Sequence, residues 1–152
     1  MPTIMLETKV GEVMSKAPAS IDQGLKVDVA IELMQQRGIR RLPVVGGSDQ
    51  QLVGIVTLED ARRVMPAGTP FYGAGQAAQA EIPDVRRAMS SRVVTVGPED
   101  SLAMAAQLMV HHKIGALPVL EQGAIVGIIT ESDIFKFVAR GLPPLQTESD
   151  FG

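Results

Sequence analysis

Shifted by 75 positions, the sequence superposes on itself, Val10–Val45 falling on Val85–Leu120. Met14-Ser15 meets Met89-Ser90, Leu33-Met34 meets Leu108-Met109, and Leu42-Pro43-Val44 meets Leu117-Pro118-Val119. Past a two-residue deletion the offset becomes 73, and Val53-Gly54-Ile55-Val56-Thr57 meets Val126-Gly127-Ile128-Ile129-Thr130, with Asp60 on Asp133. Fifteen of 49 aligned positions are identical, so the chain carries two copies of one unit. Self-similarity of this kind constrains the fold more than any local pattern. A unit of about 55 residues buries too little surface to be stable by itself, and the second copy is the nearest cover for its apolar face.

Within a copy the pattern reads as strand, helix, strand, strand, helix. Val27, Ala30, Ile31 and Met34 follow the spacing of a helix with one apolar face, and Leu102, Ala105, Ala106 and Met109 repeat it. Gly38 marks the helix end in the first copy; Lys113, which has no preference for positive φ, stands in its place in the second. Leu42–Val45 and Leu52–Thr57 read as strands joined by the loop signal Gly46-Gly47-Ser48-Asp49, and the second copy uses the tighter Glu121-Gln122-Gly123. Short helices follow at Leu58–Met65 and Glu131–Ala139. The expected fold is α/β (α+β): two β-α-β-β-α repeats related by a pseudo-two-fold and packed through their sheets. The expected boundaries are 10–65 for the first repeat, 66–84 for a linker, 85–139 for the second repeat and 140–152 for a flexible tail. The linker carries Phe71-Tyr72, which leaves open whether it is a plain spacer or a loop that contacts a partner.

Composition narrows the function. A net charge of −3 and 3% aromatic residues argue against a nucleic-acid binder, which needs a basic footprint or stacking rings. The chain has no Cys, which removes disulfides, thiolate nucleophiles and Cys-based zinc sites. The adjacent His111-His112 point about 100° apart on a helix and do not form a metal pair. No nucleophile–base–orienter set is visible, so the expectation is no catalytic residue, no metal and no enzyme. With no long apolar run and no signal-like start, the expected location is the cytoplasm, with no membrane contact.

The residues richest in chemistry are Thr57-x-x-Asp60 and Thr130-x-x-Asp133, each at the point where a strand becomes a helix. One reading is structural, since Thr-x-x-Asp has the form of a capping box. The other is a ligand site: free N–H groups at a helix start attract phosphate, and a carboxylate one turn in can hold a ribose diol.

Met-Ser opening each copy, Ile-x-x-Leu-Pro-Val or its equivalent, and Val-Gly-Ile-Val/Ile-Thr-x-x-Asp together resemble the CBS domain, named from cystathionine β-synthase. The second copy also shows Val93-Val94-Thr95-Val96-x-Pro98 and Ser101-Leu102, whereas the first has Ser20-Ile21-Asp22-Gln23 in place of Thr-Val-x-Pro. The resemblance covers about Val10–Ala139. It implies a paired regulatory module that binds adenosine-containing ligands such as AMP, ADP, ATP, S-adenosylmethionine or NAD between its repeats. No cofactor would be required beyond such a regulatory ligand. Carried across, the phosphate and ribose roles fall on Thr57 and Asp60 and on Thr130 and Asp133. The adenine-contacting segments are Ala17, Pro18 and Ala19 and Arg92, Val93 and Val94. Arg40-Arg41 precede Leu42-Pro43 where the second copy has Gly115-Ala116; they resemble the basic residues of adenylate-sensing members that meet phosphates. The alternative is surface arginines paired with Asp49 or Glu32. The expectation is one good site and one weak one, in a sensor that signals to an unidentified protein and forms a homodimer. The alternative is a ligand-free dimerisation or interaction scaffold.

Overall fold

A computed structural model describes residues 3–16, 19–66 and 82–141. The linker expected at 66–84 and the tail expected at 140–152 lie mostly outside these residues. Helices α1 (Thr3–Glu7) and α2 (Val10–Val13) lead into β1 (Ser15–Lys16) and β2 (Ile21–Asp22). Then come α3 (Val27–Arg37), β3 (Arg41–Gly46), β4 (Gln51–Thr57) and α4 (Leu58–Arg63). The second repeat opens on a 3-10 turn at Val85–Arg87 and continues through α5 (Leu102–His112), β5 (Ala116–Glu121), β6 (Ala124–Thr130) and α6 (Glu131–Arg140).

The two sheets have the orders β2-β3-β4 and β1-β6-β5. In each, the central hairpin is antiparallel with matching register, Arg41 facing Thr57 and Ala116 facing Thr130. Ile21 pairs in parallel with Val44, and Val96 makes the equivalent single bridge to Val119. The second repeat therefore lacks the opening strand its sequence suggests. Its residues 92–95 pass from one sheet to the other, Ser90 bridging Ile55 and Val96 bridging Val119, and a segment in transit has no strand to pair with.

That crossing is half of an exchange. Ser15 and Lys16, at the start of the first repeat, pair with Ile128 and Gly127 of the second. Ser90, at the start of the second, exchanges backbone hydrogen bonds of 2.9 and 2.8 Å with Ile55 of the first. The cores follow suit. Val85 and Ile82 are buried with Val27, Ile31, Met34, Leu42, Val44 and Val56. Val10 and Met5 are buried with Leu102, Ala105, Met109, Leu117, Val119 and Ile129. Each arm completes the other repeat's core, at roughly 1.5–3 kcal/mol per fully buried aliphatic side chain.

Glycine permits the exchange where the strands meet. A Cβ at Gly54 would lie 2.8 Å from the Ser90 carbonyl oxygen, and one at Gly127 would lie 2.8 Å from that of Ser15. Helix α3 buries Val27, Ala30, Ile31 and Met34 as its spacing predicts and stops at Gly38, φ 65°. Helix α5 buries Leu102, Ala103, Ala105 and Met109, with Ala106 only half-buried. It is capped by the Ser101 hydroxyl, which accepts from the Met104 N–H at 3.0 Å. Despite its sequence, it stops in the same left-handed way, at Lys113 with φ 56°. The hairpin between β5 and β6 closes through Gln122 and Gly123, φ 53° and 83°, the two-residue turn whose twist matches its strands. No helix among the described residues is long and apolar enough to cross a membrane.

Candidate functional site

Between the repeats lies a cavity of about 670 Å³, within the range of small-molecule sites. The first repeat supplies one wall, from Arg37 at the end of α3 through Gly38, Ile39, Arg40 and Arg41 to Pro43. The second supplies Gly115 and Ala116 at the start of β5, Ile128 and Thr130 on β6, and Glu131 and Ser132 in the first turn of α6. Ser15, Lys16 and Ala19, on the exchanged arm and just after it, close the third side. Lys16, Arg37, Arg40 and Arg41 thus oppose a single acidic lining residue, Glu131. Among the described residues none of these five is in an ion pair; the pairs present are Lys9–Glu99, Lys26–Asp84, Arg63–Glu59, Arg63–Asp60 and Arg86–Asp84. Asp49 and Glu32 therefore do not take up Arg40 or Arg41, and the guanidinium groups remain open to a ligand.

Of the residues singled out in the sequence, Ala19, Arg40, Arg41 and Thr130 line this cavity. Ala17 and Pro18 lie outside the described residues. Thr57, Asp60, Arg92, Val93 and Val94 do not line it; Thr57 is the repeat equivalent of the cavity's Thr130, and Val94 that of its Ala19. Asp133 does not line it either.

Both Thr-x-x-Asp pairs act as helix caps. The Thr130 hydroxyl oxygen accepts from the Asp133 N–H at 3.2 Å, and Asp133 Oδ2 accepts from the Thr130 N–H at 3.0 Å. In the first repeat the Thr57 oxygen accepts from the Asp60 N–H at 3.0 Å, but Asp60 Oδ1 turns to Arg63 Nη1 at 2.8 Å. The cap leaves the cavity specific resources. The Glu131 N–H is taken by the Gly115 carbonyl at 3.0 Å and the Asp133 N–H by Thr130. Among the described residues the Ser132 N–H has no partner, and the Thr130 hydroxyl hydrogen is likewise free. A helix start with a free N–H, facing three arginines across the seam with Lys16 at its side, is chemically suited to an anion.

Sequence reasoning missed Lys16, Arg37, Glu131 and Ser132. The signal for the last two lay between Thr130 and Asp133 themselves; for Lys16 and Arg37 it was a basic charge within a few residues of Ala19 and Arg40. No group of three or more His, Asp or Glu among the described residues is placed to hold a metal ion.

The family model for the CBS domain matches residues 10–67 and 84–140. A CBS domain-containing protein of Dictyostelium discoideum is 30% identical over 148 residues, covering 95% of this chain and 100% of its own. The homoserine O-acetyltransferase of Methanosphaerula palustris is 31% identical over 135 residues, 88% of this chain, and the chain spans 25% of that protein's length. The solved structure of CBSX2 in complex with AMP superposes with a TM-score of 0.73 at 23% identity, over 88% of this chain and 97% of that one, and so shares its fold. With both repeats matched and the paired architecture in place, the chain belongs to the CBS domain family.

Proposed function

We propose that the chain is a non-catalytic regulatory module that takes an adenosine-containing ligand with at least one phosphate in the seam cavity. The observation that carries this reading is the set of Lys16, Arg37, Arg40 and Arg41 gathered around the first turn of α6, free of ion pairs among the described residues. Arg40 and Arg41 take the phosphate, helped by the Thr130 hydroxyl and the Ser132 N–H. Ala19 lies on the side where the adenine sits. Asp133, outside the cavity lining, holds the Thr130 end of α6 in place through its cap. AMP, ADP and ATP suit this wall better than S-adenosylmethionine, which brings cations of its own. The cleft side marked by Thr57, Asp60 and Arg92–Val94 is the weaker one, because none of these residues lines the cavity where the cations gather. The AMP-bound fold neighbour supports the ligand class.

Ligand contact on both repeats changes how one sits against the other, and a partner protein reads that change. Such a shift needs different affinities for the two arrangements. Exposed Val110 and Phe135, in a groove also lined by Ala106, Met109 and Ile134 with Glu131 as its one charged residue, offer the face on which two copies would join. The test is a melting-temperature and calorimetric panel of adenosine, AMP, ADP, ATP and S-adenosylmethionine. Ligand at a hundred times its Kd adds about 2.7 kcal/mol. For 152 residues, where roughly 0.3 kcal/mol corresponds to one degree, that is a rise of about 8 °C. Arg41→Ala should weaken the phosphate-bearing ligands about 10- to 100-fold and leave adenosine alone. A panel in which no adenosine compound binds leaves the interaction scaffold as the reading.

A further inference from the structure

We infer that Glu131 is a specificity-determining residue of this cavity: a fixed negative charge that grades adenosine ligands by their number of phosphates. The inference rests on the ligand reading above. Gly115 shows how close the opposing charges come. A Cβ built there would lie 3.3 Å from Glu131 Oε1 and 3.5 Å from Arg41 Nη1, so carboxylate and guanidinium stand over the same glycine within about 7 Å of each other. They do not pair, and the Glu131 side chain is exposed. The equivalent position in the first repeat is Leu58, which is 6% exposed and packs into that repeat's core. The second repeat has thus exchanged a core leucine for a carboxylate at the mouth of the cavity, and the fold does not need the acid for packing.

A phosphate seated on Arg41 lies within reach of Glu131's field. Repulsion between unit charges about 7 Å apart corresponds to roughly threefold in affinity in a water-like dielectric, and to more where water is excluded. Each added phosphate adds to that penalty, whereas adenosine feels none of it. Glu131 thereby offsets part of the attraction of four cations, which alone would favour the most highly charged nucleotide. Its neighbour Ser132 still offers its N–H, so phosphate is admitted but graded.

The experiment compares wild type with Glu131→Gln by calorimetry at one fixed low salt concentration without divalent cations. The probes are adenosine, AMP, ADP, ATP and inorganic tripolyphosphate. Glutamine keeps the length of the side chain and removes its charge but turns one acceptor oxygen into an N–H donor. Glu131→Met, which removes the charge without adding a donor, must therefore show the same graded gain. The expected result is unchanged adenosine affinity, about five- to sevenfold tighter AMP, whose phosphate carries a charge of about −1.5 to −2, and a gain that grows further through ADP to ATP, shrinking at high salt. Equal tightening of adenosine and ATP, no change, or weaker binding of the phosphates would overturn the inference while leaving nucleotide binding intact. If no adenosine compound binds wild type but tripolyphosphate binds Glu131→Gln more tightly, the adenosine reading fails and the charge role stands. If tripolyphosphate is also indifferent, both fail.

Discussion

Replacing Gly127 with alanine would place a methyl group 2.8 Å from the Ser15 carbonyl oxygen and against the Met14 Sδ. The Met14 side chain can swing aside, but the carbonyl belongs to backbone that is paired to Ile128 and Gly127 in β6. The arm must therefore shift, and overpacking of this kind costs about 1–3 kcal/mol. On the scale of roughly 0.3 kcal/mol per degree for 152 residues, the melting midpoint should fall by about 3–10 °C. Gly54→Ala is the matched control, because its methyl would meet the Ser90 carbonyl oxygen at the same 2.8 Å in the other sheet. The two variants should lose similar stability. They should differ in binding, since Ser15 and Lys16 wall the cavity and Ser90 does not. Scanning calorimetry reads the first quantity and nucleotide titration at 15 °C, well below both midpoints, reads the second. Equal loss of affinity in both variants, or loss in Gly54→Ala alone, would refute the claim that the first repeat's arm builds the site.

Other outcomes follow from the same geometry. Lys113→Gly should raise the midpoint by about 2–3 °C, because a non-glycine residue at φ 56° carries a steric cost of about 1 kcal/mol that Gly38 avoids in the first repeat. The hydrogen bond from the Lys26 ammonium holds the Asp84 carboxyl below the usual carboxylate range. A depressed acid contributes stability above its unfolded value of about 3.9, and that contribution is lost as pH falls through the folded value. The midpoint difference between wild type and Asp84→Asn should therefore be present at pH 7 and close below about pH 4. The hydrogen bond to Glu99 raises Lys9 in the opposite sense, so its contribution is full below about pH 10 and is lost as pH climbs through the folded value.

The repeat made the architecture readable. Val27, Ala30, Ile31 and Met34 recur as a buried face because a helix needs that spacing, and Ser101 caps α5 as its residue type allows. What the repeat could not show is which copy each opening arm joins. Met14-Ser15 and Met89-Ser90 are identical, as are Gly54-Ile55 and Gly127-Ile128, so pairing within a copy and pairing between copies read the same in a string of letters. Only chain geometry separates them. The site was half legible for a related reason. Thr130 stands out by motif and Arg41 by its place directly before Leu42-Pro43, whereas Lys16, Arg37 and Glu131 occupy positions that no motif letter fixes. The Thr-x-x-Asp signature left capping and ligand binding as alternatives. In the structure it caps in both repeats, and at α6 it still presents a hydroxyl hydrogen and the Ser132 N–H to the seam.

The crossed arms bear on how such a molecule could have arisen. A lone ancestral copy would have had an unfilled place beside its hairpin and an apolar valine with nowhere to go, the positions now occupied reciprocally by Val10 and Val85. Its simplest remedy would have been to meet another of itself, arm for arm, as a symmetric pair. Fusion of two such genes would tie the pair together and free each half to drift, one gathering arginines and the other a glutamate on facing sides of the same gap.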